Sequence, residues 1–235
     1  MAKSVTLREA WAGDADCRTC ALRTSMLFAD LEAADFEIIH EPIEQFNFKA
    51  GAVLYHSGDR DEYMFTVRSG ALKLVQYLAD GNLRIVRLVR SGDVLGLEAL
   101  LDECYQHDAV VLQPTELCRF PVQLVQTLAH DNSKLYRELM TRWQRALTEA
   151  DAWLTELSTG SARQRMARLL LRLIQDSTRN TCQLFNREDM GAMLGITTET
   201  ASRTVASFKR EDLIIEITPT EYLLDVLSLR RIAED

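Results

Sequence analysis

The stretch Asn186-Arg187-Glu188-Asp189-Met190-Gly191-Ala192-Met193-Leu194-Gly195-Ile196-Thr197-Thr198-Glu199-Thr200-Ala201-Ser202-Arg203 decides how the chain folds at its C-terminal end. Asn186 is a good N-cap, Met190, Met193 and Leu194 follow at helical spacing, and Gly195 is the residue type that stops a helix. Thr197 then caps a second helix. Helix, short turn with glycine, helix is the sequence form of a helix-turn-helix. On the second helix Ala201, Val205 and Phe208 share one face, and Glu199, Ser202, Arg203 and Ala206 share the other. The apolar set can anchor the helix. The polar set presents an acceptor, a hydroxyl and a guanidinium of the kind that matches the edges of base pairs in a major groove. Arg203 suits guanine O6 and N7, Glu199 a cytosine N4, and Ser202 either kind of group, with Thr198 beside them at the helix start. Glu199 and Arg203, four residues apart, would also pair as ordinary exposed ions, worth roughly 0.2–0.5 kcal/mol.

Working outward, Ile214 to Ile217, Thr218-Pro219-Thr220 and Tyr222 to Leu224 read as a hairpin, which makes the unit a winged helix-turn-helix. Upstream, Ser158 to Ser161 is a Ser/Thr/Gly-rich break. Arg163 to Ile174 follows as an amphipathic helix burying Met166, Leu169, Leu170 and Leu173, with a short strand or turn at Leu184 and Phe185. A DNA-binding domain is therefore expected over 159–235. Charge agrees with this placement. The chain as a whole carries −8, but Ser158 to Asp212 holds nine Lys or Arg against six Asp or Glu. Only this third is suited to a polyanion.

From Pro121 to Gly160 there is no glycine or proline, and apolar positions take helical spacing. With Asp131, Asn132 and Ser133 as N-caps, Leu135, Leu139, Ala146, Ala150, Trp153 and Leu157 form a stripe. A helix of that length extends about 37 Å, too far for one small domain to cover. Pairing with a second copy supplies the missing partner, so 122–158 is expected to be a dimerisation helix.

Earlier in the chain, six of the ten glycines fall between Gly51 and Gly96, about one strand apart. Runs such as Met64 to Val67, Ala71 to Tyr77 and Leu83 to Val89 lie between them, and Asp80-Gly81-Asn82 reads as a hairpin turn. Further strands at Ala109 to Leu112 and Leu117 to Phe120, closed off by Pro114 and Pro121, complete an eight-strand jelly-roll-like sensor domain over 31–121. The fold class is α+β: an N-terminal β jelly roll, a long helix and a C-terminal winged helix-turn-helix. A cysteine-bearing segment, 1–30, precedes it.

With 47% hydrophobic and 26% charged residues the composition is globular, and no run of eighteen apolar residues offers a membrane span. The N-terminus has no signal-peptide pattern, so a cytoplasmic location without membrane association is expected. Five cysteines, an odd count in a reducing compartment, point to thiols, metal ligands or redox chemistry rather than disulfide staples.

Arg68-Ser69-Gly70-Ala71-Leu72-Lys73, Ser91-Gly92-Asp93-Val94-Leu95-Gly96 and the segment Leu194 to Arg203 together carry a resemblance to the CRP/FNR family of bacterial transcription regulators, covering about Cys17 to Leu224. The resemblance implies a sensor domain of cyclic-nucleotide-binding jelly-roll type, a homodimer through the long helix, a winged head on inverted-repeat double-stranded DNA, and RNA polymerase as a further partner. Glu199-x-x-Ser202-Arg203 is similar to the FNR branch, which reads half-sites of the TTGAT kind. The cAMP-receptor branch has Arg just before the Glu, where this chain has Thr198.

The family's cyclic-nucleotide site needs a Glu after the glycine of its Gly-Asp-x-x-Gly turn and an Arg-Ser pair further on. Here Leu97 follows Gly96, with Glu98 adjacent, and His107-Asp108 stands in place of Arg-Ser. A carboxylate there would repel the cyclic phosphate, so a cyclic nucleotide is not the expected ligand. Cys17-Arg18-Thr19-Cys20 has the spacing by which two thiolates hold one metal or cluster edge. The FNR branch holds a [4Fe-4S] cluster with N-terminal cysteines and one at the end of the sandwich; Cys17, Cys20 and Cys118 match, whereas the third N-terminal position is Met26. Cys104, Asp14 or Asp16 could supply a fourth ligand. A thiol or disulfide switch, haem or another small ligand are the alternative signals, and Cys182 reads as a buried thiol. His40, His56, His107 and His130 are scattered. An enzyme of the cupin type would need a His-x-His pair, which is missing, and a ligand-binding module without DNA would leave the second head unexplained. The chain is therefore expected not to be an enzyme.

Overall fold

Strand formers punctuated by glycines build, in the computed structural model, a seven-stranded sheet whose strands run β1 (Lys3–Thr6), β2 (Pro42–Phe48), β3 (Val53–Tyr55), β4 (Tyr63–Tyr77), β5 (Leu83–Arg90), β6 (Val94–Leu95) and β7 (Asp108–Pro121). The structure describes residues 3–6, 27, 42–60, 62–101, 103–176 and 179–234. Sheet order is β1-β2-β7-β4-β5, with β3 also on β7 and β6 on β4. β7 pairs with β2, β3 and β4, strands distant from it in sequence, as in a jelly roll, while β4 and β5 are joined by a short turn.

The strands are fewer and longer than expected. Met64 to Val67 and Ala71 to Tyr77 belong to one strand, as do Ala109 to Leu112 and Leu117 to Phe120. Pro114, expected to close a strand, lies inside β7. The reason is a bulge: pairing jumps from Ser69↔Glu116 to Ala71↔Gln113, so Pro114 falls where no ladder N–H is required. Thr115 repairs the gap, its hydroxyl accepting the Ala71 amide at 3.1 Å and donating to the Gln113 carbonyl at 2.7 Å. Opposite, Gly70 has φ +88°, and a β-carbon there would collide with the Pro114 carbonyl and Thr115. Both strands thus bend without ending. Their enclosed side holds Val67, Leu72, Leu74 and Leu117, all 2% exposed or less.

Two compact units divide the chain, residues to 76 with 87–147, and 77–86 with 148 onward. The expected single helix is two: α1 (Val122–Asp131) and α2 (Ser133–Ala152). Asn132 breaks them, with extended backbone (φ −117°, ψ 99°) and a side-chain oxygen accepting the Lys134 and Leu135 amides at 3.0 and 3.1 Å. A π-helical turn, Trp153–Leu157, follows α2.

Part of the expected stripe is buried within the protomer. Leu135 and Leu139 are 2% and 4% exposed within the first unit, and Leu157 is fully buried within the second. Arg142 donates to the Gly92 carbonyl, and Arg145 pairs with Asp93 at 3.5 Å, which holds the Leu135 side of α2 inward. Exposed instead are Tyr136, Met140, Trp143, Leu147 and Leu154, at 38–66%, with Ala150 exposed among them. Their steps of four and three make a heptad one residue out of phase with the expected stripe, about 100° around the helix. The helix has two apolar faces, and spacing alone does not say which one the protomer uses.

In the second unit, α3 (Ala162–Arg172) starts at Ser161 with a reciprocal capping box to Gln164 and buries Met166, Leu169, Leu170 and Leu173 as read. A four-stranded sheet, order β10-β11-β9-β8, joins β8 (Ile174–Asp176), β9 (Thr181–Gln183), β10 (Ile214–Glu216) and β11 (Glu221–Leu224). The strand expected at Leu184 and Phe185 therefore lies at Thr181–Gln183, where buried Cys182 pairs with buried Tyr222. Helices α4 (Arg187–Leu194), α5 (Thr198–Arg210) and α6 (Val226–Glu234) complete the unit. Among the described residues, no helix is long and apolar enough to cross a membrane.

Candidate nucleic-acid interface

The two helices of the decisive stretch form where their caps place them. Asn186 accepts the Asp189 amide at 2.7 Å to start α4, Gly195 ends it at φ +61°, and the Thr197 hydroxyl accepts the Thr200 amide at 3.2 Å to start α5. Gly191, unremarked in the sequence reading, controls the turn. A β-carbon on it would stand 2.7 Å from the Ile196 carbonyl oxygen, and the Ile196 amide donates to the Gly191 carbonyl at 3.1 Å. A glycine inside an otherwise helical run was the available signal.

On α5, Ala201, Val205 and Phe208 are 1% exposed or less, while Thr198, Glu199, Arg203 and Ala206 are exposed and Ser202 is half-exposed. The expected division of faces holds. The expected Glu199–Arg203 pair does not form. Its own backbone amide, then the Thr197 hydroxyl, bond the Glu199 carboxylate and lower its pKa, Arg203 adding a smaller electrostatic effect. Unpaired amides and positive dipole at a helix N-terminus outcompete a solvated partner one turn on. Arg203 instead lies 3.5 Å from the Thr200 hydroxyl.

The far end of α5 is clamped on two sides. Arg163 of α3 grips the Glu211 carboxylate with both terminal nitrogens and stacks 5.0 Å from the Phe208 ring, and Ser207 also donates to Glu211 at 2.5 Å. Lys209 donates to Glu216 at 2.6 Å and to the Tyr222 hydroxyl at 3.0 Å, joining the helix to the wing. At the near end, Arg165 donates to the Leu194 carbonyl at 2.6 Å, satisfying one of the last acceptors of α4. A rigid helix thus holds a polar row away from the core.

Of the cysteines read as ligands, Cys17 and Cys20 lie outside the described residues. Cys118 is 3% exposed on β7, with the Arg68 guanidinium 4.0 Å from its sulfur. Cys104 is half-buried on the loop before β7, and Cys182 is buried in β9. Among the described residues, no group of three or more His, Cys, Asp or Glu converges as a metal site. At the positions compared with a cyclic-nucleotide site, Leu97 is buried, the Gln106 amide donates to Glu98 at 3.3 Å, and Asp108 accepts the Ser57 amide at 2.7 Å and lies 3.5 Å from His56.

Comparison with known proteins extends these findings. Residues 45–132 match the cyclic nucleotide-binding domain and residues 164–232 the Crp-like helix-turn-helix domain. The chain is 27% identical over 240 residues to the transcriptional activator protein Anr of Pseudomonas protegens, covering 99% of this chain and 98% of that protein. It is 24% identical over 208 residues to the fumarate and nitrate reduction regulatory protein of Vibrio cholerae, covering 84% and 82%. The structure of FixK2 from Bradyrhizobium japonicum shares the fold with a TM-score of 0.73 at 22% identity, over 81% of this chain and 96% of that one. Two matched domains in this order, with likeness along nearly the whole of FNR-type activators, make the chain a member of the CRP/FNR family of transcription regulators and not an enzyme.

Proposed function

We propose that the protein is a cytoplasmic, homodimeric regulator that reads an inverted-repeat operator with Thr198, Glu199, Ser202 and Arg203 and senses oxygen, nitric oxide or redox state through an iron-sulfur cluster. The observation that carries the DNA reading is the outward polar row of α5, with Arg203 not tied to Glu199 and the helix clamped on two sides at its C-terminal end. Twofold symmetry places two such helices on half-sites about one helical turn apart. The exposed heptad Tyr136, Met140, Trp143, Leu147, Ala150, Leu154 supports the dimer. RNA polymerase is the protein partner that this reading implies.

For the signal, Cys17, Cys20 and Cys118 are the proposed [4Fe-4S] ligands, with Cys104 a candidate fourth. Cys118 is offered for the role by its place near the end of the sandwich, where its buried sulfur lies 4.0 Å from the Arg68 guanidinium. A bound cluster supplies an oxygen-labile centre tying the N-terminal segment to the sandwich. Electrophoretic shift of an operator of the TTGAT type, with anaerobic iron and sulfide analysis, tests both halves. Binding without sequence preference sinks the DNA reading. An iron-free protein whose affinity follows dithiothreitol makes the signal a thiol switch.

A further inference from the structure

The turn that joins β4 to β5 belongs to the second compact unit, which takes in 77–86 together with 148 onward. Asp80-Gly81-Asn82 closes it: the Asp80 carboxylate accepts the Asn82 amide at 2.9 Å and the Asn82 side chain at 2.8 Å, and Gly81 takes φ +82°. Beyond the turn, Ile85 and Val89 of β5 are 1% exposed, so strand alternation sends Arg84 to the opposite face. There its guanidinium lies against Gly195. A β-carbon on Gly195 would stand 2.9 Å from Arg84 Cζ and 3.1 Å from Nη2. Gly195 is exposed and Arg84 half-exposed, so solvent reaches both. Three other cations of this unit have protein acceptors: Arg165 the Leu194 carbonyl, Arg163 the Glu211 carboxylate and Lys209 the Glu216 carboxylate. Among the described residues the Arg84 guanidinium has none. It carries five N–H donors and a full charge, so what this position lacks is an anion.

Gly195 stands just before Thr197, the N-cap of α5, and the exposed Thr198 and Glu199 follow at once. A reading helix enters the major groove by its N-terminal residues, so the turn leading into it lies beside the phosphate walls of the groove, where donors meet phosphate oxygens. We propose that Arg84 is a DNA-backbone contact, donating to a phosphate at the rim of the groove that α5 enters. This inference rests on the DNA reading above. It adds a second arm to the interface: α5 reads bases, and a residue within 45–132, the stretch matched to the cyclic nucleotide-binding domain, holds the backbone. A phosphate contact positions without specifying, so Arg84 sets affinity and its salt dependence and leaves the choice of sequence to α5.

The test uses the full chain as wild type, Arg84→Ala, Arg84→Lys and Arg203→Ala, with two duplexes of equal length, one carrying an inverted repeat of TTGAT and one a shuffled sequence. Three quantities are read: dissociation constants from about 50 to 200 mM salt, their ratio between the two duplexes, and denaturant stability of the free protein. Arg84→Ala should bind both duplexes about tenfold more weakly at the lowest salt, and the slope of log affinity against log salt should shrink by about one for each protomer engaged. Arg84→Lys should keep the wild-type slope, and both variants should match wild type in stability. Arg203→Ala should instead reduce the ratio. An unchanged slope in Arg84→Ala overturns the inference, as does a loss confined to the repeat. A rise in affinity makes the contact a brake on the head and overturns it. Lower stability with weaker binding at unchanged slope makes Arg84 a brace on the turn and overturns it too. A wild type that binds both duplexes alike sinks base reading by α5, while the slope still decides Arg84. One that binds neither overturns both.

Discussion

Gly191 and Ile196 meet backbone to backbone: a β-carbon on residue 191 would lie 2.7 Å from the Ile196 carbonyl oxygen. This contact lets α4 and α5 cross with so short a turn between them. Gly191→Ala gains helix propensity of about 1 kcal/mol, but the oxygen it meets belongs to backbone and cannot swing aside. Overpacking of about 1–3 kcal/mol should prevail. Thermal unfolding should show a lower midpoint, and operator affinity should fall as the turn opens; a more stable variant would refute the contact.

The dimer seam is predicted on the exposed heptad. Met140→Glu combined with Leu147→Glu places like charges opposite each other and should yield monomers by light scattering, with far-ultraviolet circular dichroism unchanged. Leu139→Ala, inside the protomer, should instead cost about 2–5 kcal/mol of stability. Persistence of the dimer in the double variant would show that this face is not the seam.

Arg203→Ala should weaken cognate-operator binding by about 1–3 kcal/mol and flatten preference at one base pair. Because Glu199 is bonded to the helix N-terminus rather than to Arg203, their double-mutant cycle in protein stability should close to within about 0.5 kcal/mol. A uniform loss on every sequence would mark Arg203 as a phosphate contact.

Acid should loosen the α3–α5 clamp. The bond from Arg163, then that from Ser207, brings the Glu211 carboxyl from 4.5 down to about 2. A depressed folded-state value means stability that is fully present above 4.5 and lost as pH falls towards 2. Glu211→Gln should therefore trail wild type at neutral pH and converge with it across that window, in denaturant titrations at stepped pH. A gap that stays constant to the acid end would remove Glu211 from the linkage.

The sequence by itself determined the reading head, because its signals are local. Asn186, Gly195 and Thr197 each act on amides or dihedrals within three residues of themselves, and Ala201, Val205 and Phe208 declare their face by period alone. The hairpin of β10 and β11 was legible for the same reason. Tertiary structure decided everything that depends on which surface meets which. Leu135 and Leu139 differ from Met140 and Leu147 only in phase, and packing within the unit, fixed by Arg142 at Gly92 and Arg145 at Asp93, chose the buried face. Pro114 looked like a strand end until Gly70 and Thr115, across the sheet, supplied a bulge to hold it. Gln45 and Thr66 stand 73 and 52 residues from Cys118 in the chain, and no periodicity links them. Only strand pairing sets them opposite it across the sheet, since sheet hydrogen bonds join residues by register and not by distance along the chain.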